Sequence, residues 1–520
     1  MTIFKEALRG SRMKHSRWFS KWFILPAVVV TMIAALVVGM SAALFTDTET
    51  SNDSTFASWT STQWTQTSQA DFNAGVLSGT NTSLSPDDVI LSAGAGSGAN
   101  MILLWDGVSA PSGWTFLSDA GGAFNNRFPR GAATYGGTGG VATHTHTVGL
   151  VSLGAPATTA VSGSGTNRSA VGHTHALASG STVAASNLPS YRNLRVITST
   201  GVPTTIPAGA IAIFDTTPPS GWTRYSTQDN YFVRGAATAG GTGGANTHTH
   251  STSISLAAAS GNQAVSTTNP RTAVATNTHT HATSSGTTDG PDSRPPFITV
   301  ILAKADSATA IPAGMIAMFN ASPSGDWSIV SGSGGDFNGR FIVGSSSYGT
   351  TGGAGTHSHA NLPIASAVPT GTGNASTTSP TASVASSTHT HSVTVSFGAP
   401  STTSLPPYVD VIFAKALYAS SGTIASQVLD TTVTGSRWDA LFWDETLQSG
   451  TDITFEVRAS DTVFLQGAGS PSWTSVGGTS PVLAGLTSGR YKQWRATLTS
   501  DGSQTNTPTL QEVRVFYYGG

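Results

Sequence analysis

Thr143-His144-Thr145-His146 is the stretch on which the reading of the whole chain turns. The same His-x-His phrase recurs at His173/His175, His248/His250, His279/His281, His357/His359 and His389/His391, so twelve of the thirteen histidines stand in six pairs. On an extended strand, residues i and i+2 face the same way. Each pair therefore offers two imidazoles in one direction, with a small Ser or Thr turned away. That is a metal-ligand arrangement carried on a strand. For a single pair, decoration of a Ser/Thr-rich surface would be an even alternative; six pairs at equivalent positions weigh heavily against it.

The pairs sit inside a repeat of about 105 to 110 residues. Ile206-Pro207-Ala208-Gly209 is matched by Ile311-Pro312-Ala313-Gly314, and Pro219-Ser220-Gly221-Trp222 by Pro111-Ser112-Gly113-Trp114 and, with one insertion, by 323–327. Phe128-Pro129-Arg130-Gly131 is echoed by Phe232-Val233-Arg234-Gly235 and more loosely by Phe341-Ile342-Val343-Gly344. Gly-rich turns follow at 136–140, 240–244 and 352–355. Then comes the first His pair of each unit, and 29 to 32 residues later the second. A proline-led, β-branched strand closes each unit. The stretches between the pairs, such as 251–278, have almost no large apolar residues and need partner strands to be held.

These residues resemble the phage tail collar domain of tail-fibre tips and microcystin-dependent proteins, over about 300 residues in three tandem copies. The resemblance implies a β-needle in which three copies of the unit surround one axis and His-x-His pairs enclose an iron-like ion with six imidazoles. Two assemblies satisfy such a site. In a homotrimer each pair meets its own equivalents in two other chains. In a single-chain pseudo-trimer His144, His146, His248, His250, His357 and His359 converge on one ion, and His173, His175, His279, His281, His389 and His391 on a second. The single chain is favoured, because the linkers at 197–206 and 305–311 are short and the number of copies equals the number that closes a three-fold site. The expected cofactor is a divalent transition metal, Fe first, with Ni or Zn as alternatives. It would be structural, since all coordination positions are filled.

Composition narrows the remaining possibilities. Only 10% of residues are charged, against roughly 25% in average soluble proteins, and Gly, Ser and Thr abound. That favours short strands and turns over long helices. Net charge is −2 with no basic stripe, which argues against a nucleic-acid partner. There is no cysteine, hence no disulfide and no thiolate site. Gly136-Gly137-Thr138-Gly139-Gly140 lacks the Lys-Ser/Thr of a phosphate loop and reads as a turn. Arg130 and Arg234 occupy matching positions, where packing over the preceding Trp or a carbonyl is expected more often than anion binding. Every histidine after His15 is committed to a pair and carboxylates are sparse, so no catalytic triad or glycosidase pair can be nominated. The chain is read as not an enzyme.

The N-terminus is basic up to Lys21, and 23–44 is an uncharged apolar run long enough to span a bilayer. The positive flank predicts export of the chain beyond residue 45, with the helix as cleaved signal or retained membrane anchor. Residues 43–57 resemble the start of exported camelysin-like and biofilm-matrix fibre proteins. Beyond about 420, alternating strands such as Thr451–Arg458 and Tyr491–Leu498 predict an antiparallel β-sandwich similar to jelly-roll-like modules of bacterial surface proteins. Trp438, Trp443 and Trp494 are expected in its core, and Trp473, in a Gly/Ser loop, is the candidate sugar platform.

The expected fold is thus mainly β. It comprises a membrane or signal helix (1–45), a Ser/Thr-rich stalk with one or two strands (46–99), collar-like repeats (100–200, 201–310, 311–418) and the sandwich (419–520). The function expected is an exported adhesin-like protein, at the cell surface or a fibre tip, that binds a surface glycan or other receptor. The alternatives are a purely structural appendage and a polysaccharide-acting enzyme.

Overall fold

In the computed structural model, the described residues are 61–518, apart from 154–179, 257–279, 371–390 and short gaps at 84, 86, 95–97, 204, 255, 282–283, 366–368, 401–403, 478 and 484–485. The fold is mainly β; among the described residues helix is confined to Gln69–Asn73 and a 3-10 turn, Ser226–Gln228. Among the described residues no helix is long and apolar enough to cross a membrane, and the apolar run 23–44 lies outside them.

The three repeats build one body by exchanging strands in a ring. Each unit opens on an apolar strand: Met101–Trp105, Ala210–Phe214 and Met315–Phe319. Each opening strand pairs antiparallel with the closing strand of its own unit: Tyr191–Ser199, Phe297–Ala305 and Tyr408–Ala416. The three opening strands also pair with one another. The N-terminal half of each closing strand then pairs in parallel with the next unit's Arg-Gly strand. Tyr191 stands opposite Phe232, Phe297 opposite Phe341, and Tyr408 opposite Phe128. The last of these links unit three back to unit one, and eight of these strands close into a barrel. The N-terminal half of each closing strand thus takes its backbone partners from the next unit.

Packing follows the same three-fold pattern. Phe128, Phe232 and Phe341 are buried together with Phe297, and Tyr191 and Tyr408 pack against them. The contacts are edge-to-face at 5.8 to 6.4 Å, and each buried phenyl is worth about 1.5–3 kcal/mol of apolar transfer. The Gly-rich turns fit against this layer. Gly140, Gly244 and Gly353 have φ of +72°, +70° and +72°. A Cβ at these positions would lie 2.0 to 2.1 Å from the carbonyl oxygens of Pro406, Pro189 and Pro295 in the preceding unit. Only glycine can take that contact. The glycines are turn residues, as their spacing predicts.

Residues 61–91 are not a stalk. Ser61–Gln66 pairs with Thr509–Tyr518, and Val76–Ser78 pairs with Ser421–Ala425. Phe72, Val89 and Leu91 are buried in the sandwich core beside Trp438, Trp443 and Trp494. The sandwich of 419–520 is therefore completed by an earlier segment, and the body built from the three repeats is an insertion within it. The segment's place in the core is hard to foresee for a physical reason: few large apolar residues are buried in its short elements, and Ser, Thr, Gln, Asn, Asp and Gly make up most of the rest. Residues 1–60, with the expected helix, lie outside the described residues. The two crossings between sandwich and body run side by side, with Gly94 donating to the Leu417 carbonyl at 3.0 Å and Ala93 bridged to Tyr418.

The body has two poles. Thr198, near the end of the first closing strand, pairs with Ile102 close to the sandwich crossing. At the other end Tyr191 meets the phenylalanine layer, and the chain just before it, Ala185–Ser186, pairs with Thr143–His144. Nine residues of strand, roughly 30 Å, separate the crossing from the histidines.

Candidate metal centre

The first His pair of each unit arrives at this far pole on a short strand or turn fixed by the glycine contact below it. His144 and His146 are 3% and 0% exposed, His250 1% and His359 6%. His248 and His357 are half-buried. The ligand nitrogens of His144, His146, His250 and His357 lie within 4.8 Å of one another, as do those of His248, His250, His357 and His359. All six sequence-predicted residues of the first set thus come together, and the two overlapping groups describe one cluster.

The edges of the cluster carry chemical information. His144 Nε2 is 3.0 Å from His146 Nε2, 3.1 Å from His357 Nε2 and 3.2 Å from His250 Nε2. Neighbouring ligands of an octahedron are separated by about 1.4 bond lengths, so these edges correspond to bonds of roughly 2.1–2.3 Å. Metal–imidazole bonds are about 2.0–2.1 Å long. The protons are already accounted for on the other side of the rings. His146 Nδ1–H donates to Gly398 O at 2.8 Å, His250 Nδ1–H to Val183 O at 2.8 Å, and His144 Nδ1–H to Asn187 Oδ1. Their Nε2 atoms are then lone pairs pointing at one another in a dry site. His359 has the same arrangement: Nδ1–H donates to Asp289 O at 3.0 Å, and its buried Nε2 has no hydrogen-bond partner. Lone pairs facing at this distance repel unless a cation stands between them.

The carbonyls that hold the second histidine of each pair belong to the neighbouring unit. Unit three supplies Gly398 to His146, unit one supplies Val183 to His250, and unit two supplies Asp289 to His359. The ring of strands is repeated as a ring of outer hydrogen bonds. Sequence reasoning missed these residues because a backbone carbonyl has no sequence signature. Asn187 and Ser404, which hold His144 and His357, did leave one. Each stands two residues before the proline of a closing strand, where unit two has Ser293.

Burial holds the imidazoles neutral. It pushes His144 and His248 down to about 4 and His357 to about 3, with repulsion from the neighbouring rings added. His146 and His250 are lowered for the same first reason. The unfolded chain, with imidazoles near 6.5, binds protons between pH 6.5 and 4 that the folded chain refuses. Stability is therefore fully present above pH 7 and is lost as the pH falls through this window. The melting temperature is expected to be flat above pH 7 and to drop between pH 6.5 and 4. A profile level down to pH 4.5 would contradict this reading.

Of the second set, His173, His175, His279 and His389 lie outside the described residues, His281 is on the short strand Thr280–His281, and His391 is fully buried. Past the first cluster, Val148, Ile254, Leu256, Val393 and Val395 from all three units form a small apolar core.

Arg130 does not pack over a Trp. Its guanidinium lies 3.8 Å from the Tyr408 ring and pairs with Asp410 at 2.7 Å, while Arg234 lies 4.0 Å from the Tyr191 ring and bonds Asn193 at 3.0 Å. Both are engaged by the neighbouring closing strand. Trp438, Trp443 and Trp494 are core residues, as expected. Trp473 is only half-buried, but Arg458 and Arg495 lie 4.4 and 4.6 Å from its ring centre. Two guanidiniums thus stand against the indole that the sequence offers as a sugar platform.

Comparison with family models, with curated proteins and with solved structures gives no match. The resemblance to the collar domain therefore rests on the sequence repeat alone.

Proposed function

We propose that the chain is an exported adhesin-like protein, at a cell surface or fibre tip, whose three collar-like units form a single-chain pseudo-trimeric needle stapled by a divalent transition metal. The observation that carries the staple is the crowding of Nε2 lone pairs at 3.0 to 3.2 Å, with the Nδ1 protons already donated elsewhere. A six-nitrogen octahedral set suits Fe(II) or Ni(II) better than zinc, which prefers four ligands. His144, His146, His248, His250, His357 and His359 would hold the ion, which supplies cross-linking of three distant chain segments. The second histidine set would hold another further along the needle.

The surface role is supported by the basic and apolar N-terminal sequence, and by the place of the His cluster at the pole of the body opposite the sandwich crossing. A purely structural appendage is the second reading, and the occupied face of Trp473 favours it for the sandwich. A glycan array on the full chain separates the two. The binding reading expects reproducible hits that survive Trp473→Ala but vanish when 154–179, 257–279 and 371–390 are replaced by Gly/Ser sequence. No reproducible hit supports the spacer role, and hits lost in Trp473→Ala alone would return recognition to the sandwich.

A further inference from the structure

We propose that His248 is the exchangeable ligand of the centre: the one imidazole that leaves the ion and admits a small anionic donor in its place. This deepens the metal-staple reading and rests on it.

The three first-position histidines are equivalent by repeat but not by support. In unit one, Asn187 accepts from His144 Nδ1, while the Asn187 amide donates to Val141 O at 3.1 Å. In unit three, Ser404 Oγ lies 3.1 Å from His357 Nδ1. In unit two the same position is Ser293, whose hydroxyl is turned to Asn246 O at 3.2 Å. Both ring nitrogens of His248 are left buried with no hydrogen-bond partner. Yet the ring stands within the cluster, its centroid 4.8 Å from that of His144 and 4.6 Å from that of His357. The second-position rings His146, His250 and His359 are all tied to carbonyls. Five imidazoles are thus pinned from behind, and His248 is held by the ion alone.

A ligand's residence on a metal depends on what holds its other nitrogen, because that partner fixes the ring's orientation and raises its basicity. Rotation of His248 away from the ion breaks no hydrogen bond to protein, whereas rotation of any of the other five breaks one. His248 is only half-buried, whereas His144, His146, His250 and His359 are buried. The vacated position would take a small donor such as azide, with five nitrogens keeping the ion in place. The three-fold site is then a staple with one working position.

The test uses the full chain loaded with Co(II), whose visible bands report coordination, with sodium azide as the probe and transfer of the ion to EDTA as the rate measurement. Wild type is expected to change its Co(II) bands on azide addition at an unchanged ratio of ion to chain. Ser293→Asn places in unit two the residue that unit one has at 187. It is expected to slow transfer to EDTA about tenfold and to suppress the azide response. His248→Ala is expected to keep its ion and to answer azide at lower concentration, which covers the case in which Ser293→Asn does not fold. Bands that ignore azide in wild type, or a His248→Ala chain that loses its ion as readily as His146→Ala, would overturn the proposal and leave the staple standing. A wild-type chain that binds no Co(II) at all removes the staple as well.

Discussion

His146→Ala is expected to strip the centre of its ion and to lower the melting temperature of the body by roughly 5 to 10 °C. His146 is fully buried, touches the His144 nitrogen at 3.0 Å and is oriented by Gly398 of another unit. Its loss opens a coordination position and removes a link between units one and three. An ion present at about one hundred times its dissociation constant contributes about 2.7 kcal/mol to the folded state, and about 1 kcal/mol moves a domain of this size by a few degrees. Chelation by EDTA should lower wild type by the same amount and leave His146→Ala unmoved. If EDTA shifts both proteins equally, or neither, the ion does not act through these residues. Acid works in the same direction, because protons and metal compete for the same lone pairs.

Deleting residues 61–91 is expected to unfold the sandwich while sparing the metal centre. The deletion removes the strand paired with Thr509–Tyr518 along six residues and the strand paired with Ser421–Ala425. It also empties the places of Phe72, Val89 and Leu91, each 0 or 1% exposed, in a core that Trp443 and Phe455 bridge by stacking at 4.4 Å. Losing a buried phenylalanine alone typically costs about 3–5 kcal/mol, comparable with much of a domain's stability. Limited proteolysis should cut freely within 420–518 in the deleted chain and leave the body intact with its ion bound. A sandwich that stays resistant would mean that residues 61–91 only decorate it.

How legible this architecture is from sequence depends on the scale of the feature. The His-x-His spacing marks the candidate centre even though, of its six histidines, only His144 and His146 stand on strands, and the repeat brings His144, His248 and His357 into one cluster. The apolar opening strands and the β-branched closing strands are legible as well. What is not legible is the choice of partner. Nothing in Tyr191 announces that it pairs with Phe232 of the next unit, and nothing in Val183 announces a carbonyl held to His250. The stalk misleads because Phe72 is one phenylalanine among polar neighbours; its burial depends on a sheet built more than 340 residues away. Arg130 and Arg234 are correctly matched as equivalents, but their aromatic partners lie in a neighbouring unit rather than in the preceding turn. Trp473 stands in a polar loop as expected, and only the fold reveals Arg458 and Arg495 against it.

Metal content per chain, measured together with native mass, tests the central claim most directly. The expected result is a monomer, 52.9 kDa before any N-terminal processing, holding one ion at the His144 set and a second where the remaining pairs are filled. The first ion should be lost in His146→Ala. A trimeric mass with six ions, or a folded monomer holding none, would contradict it.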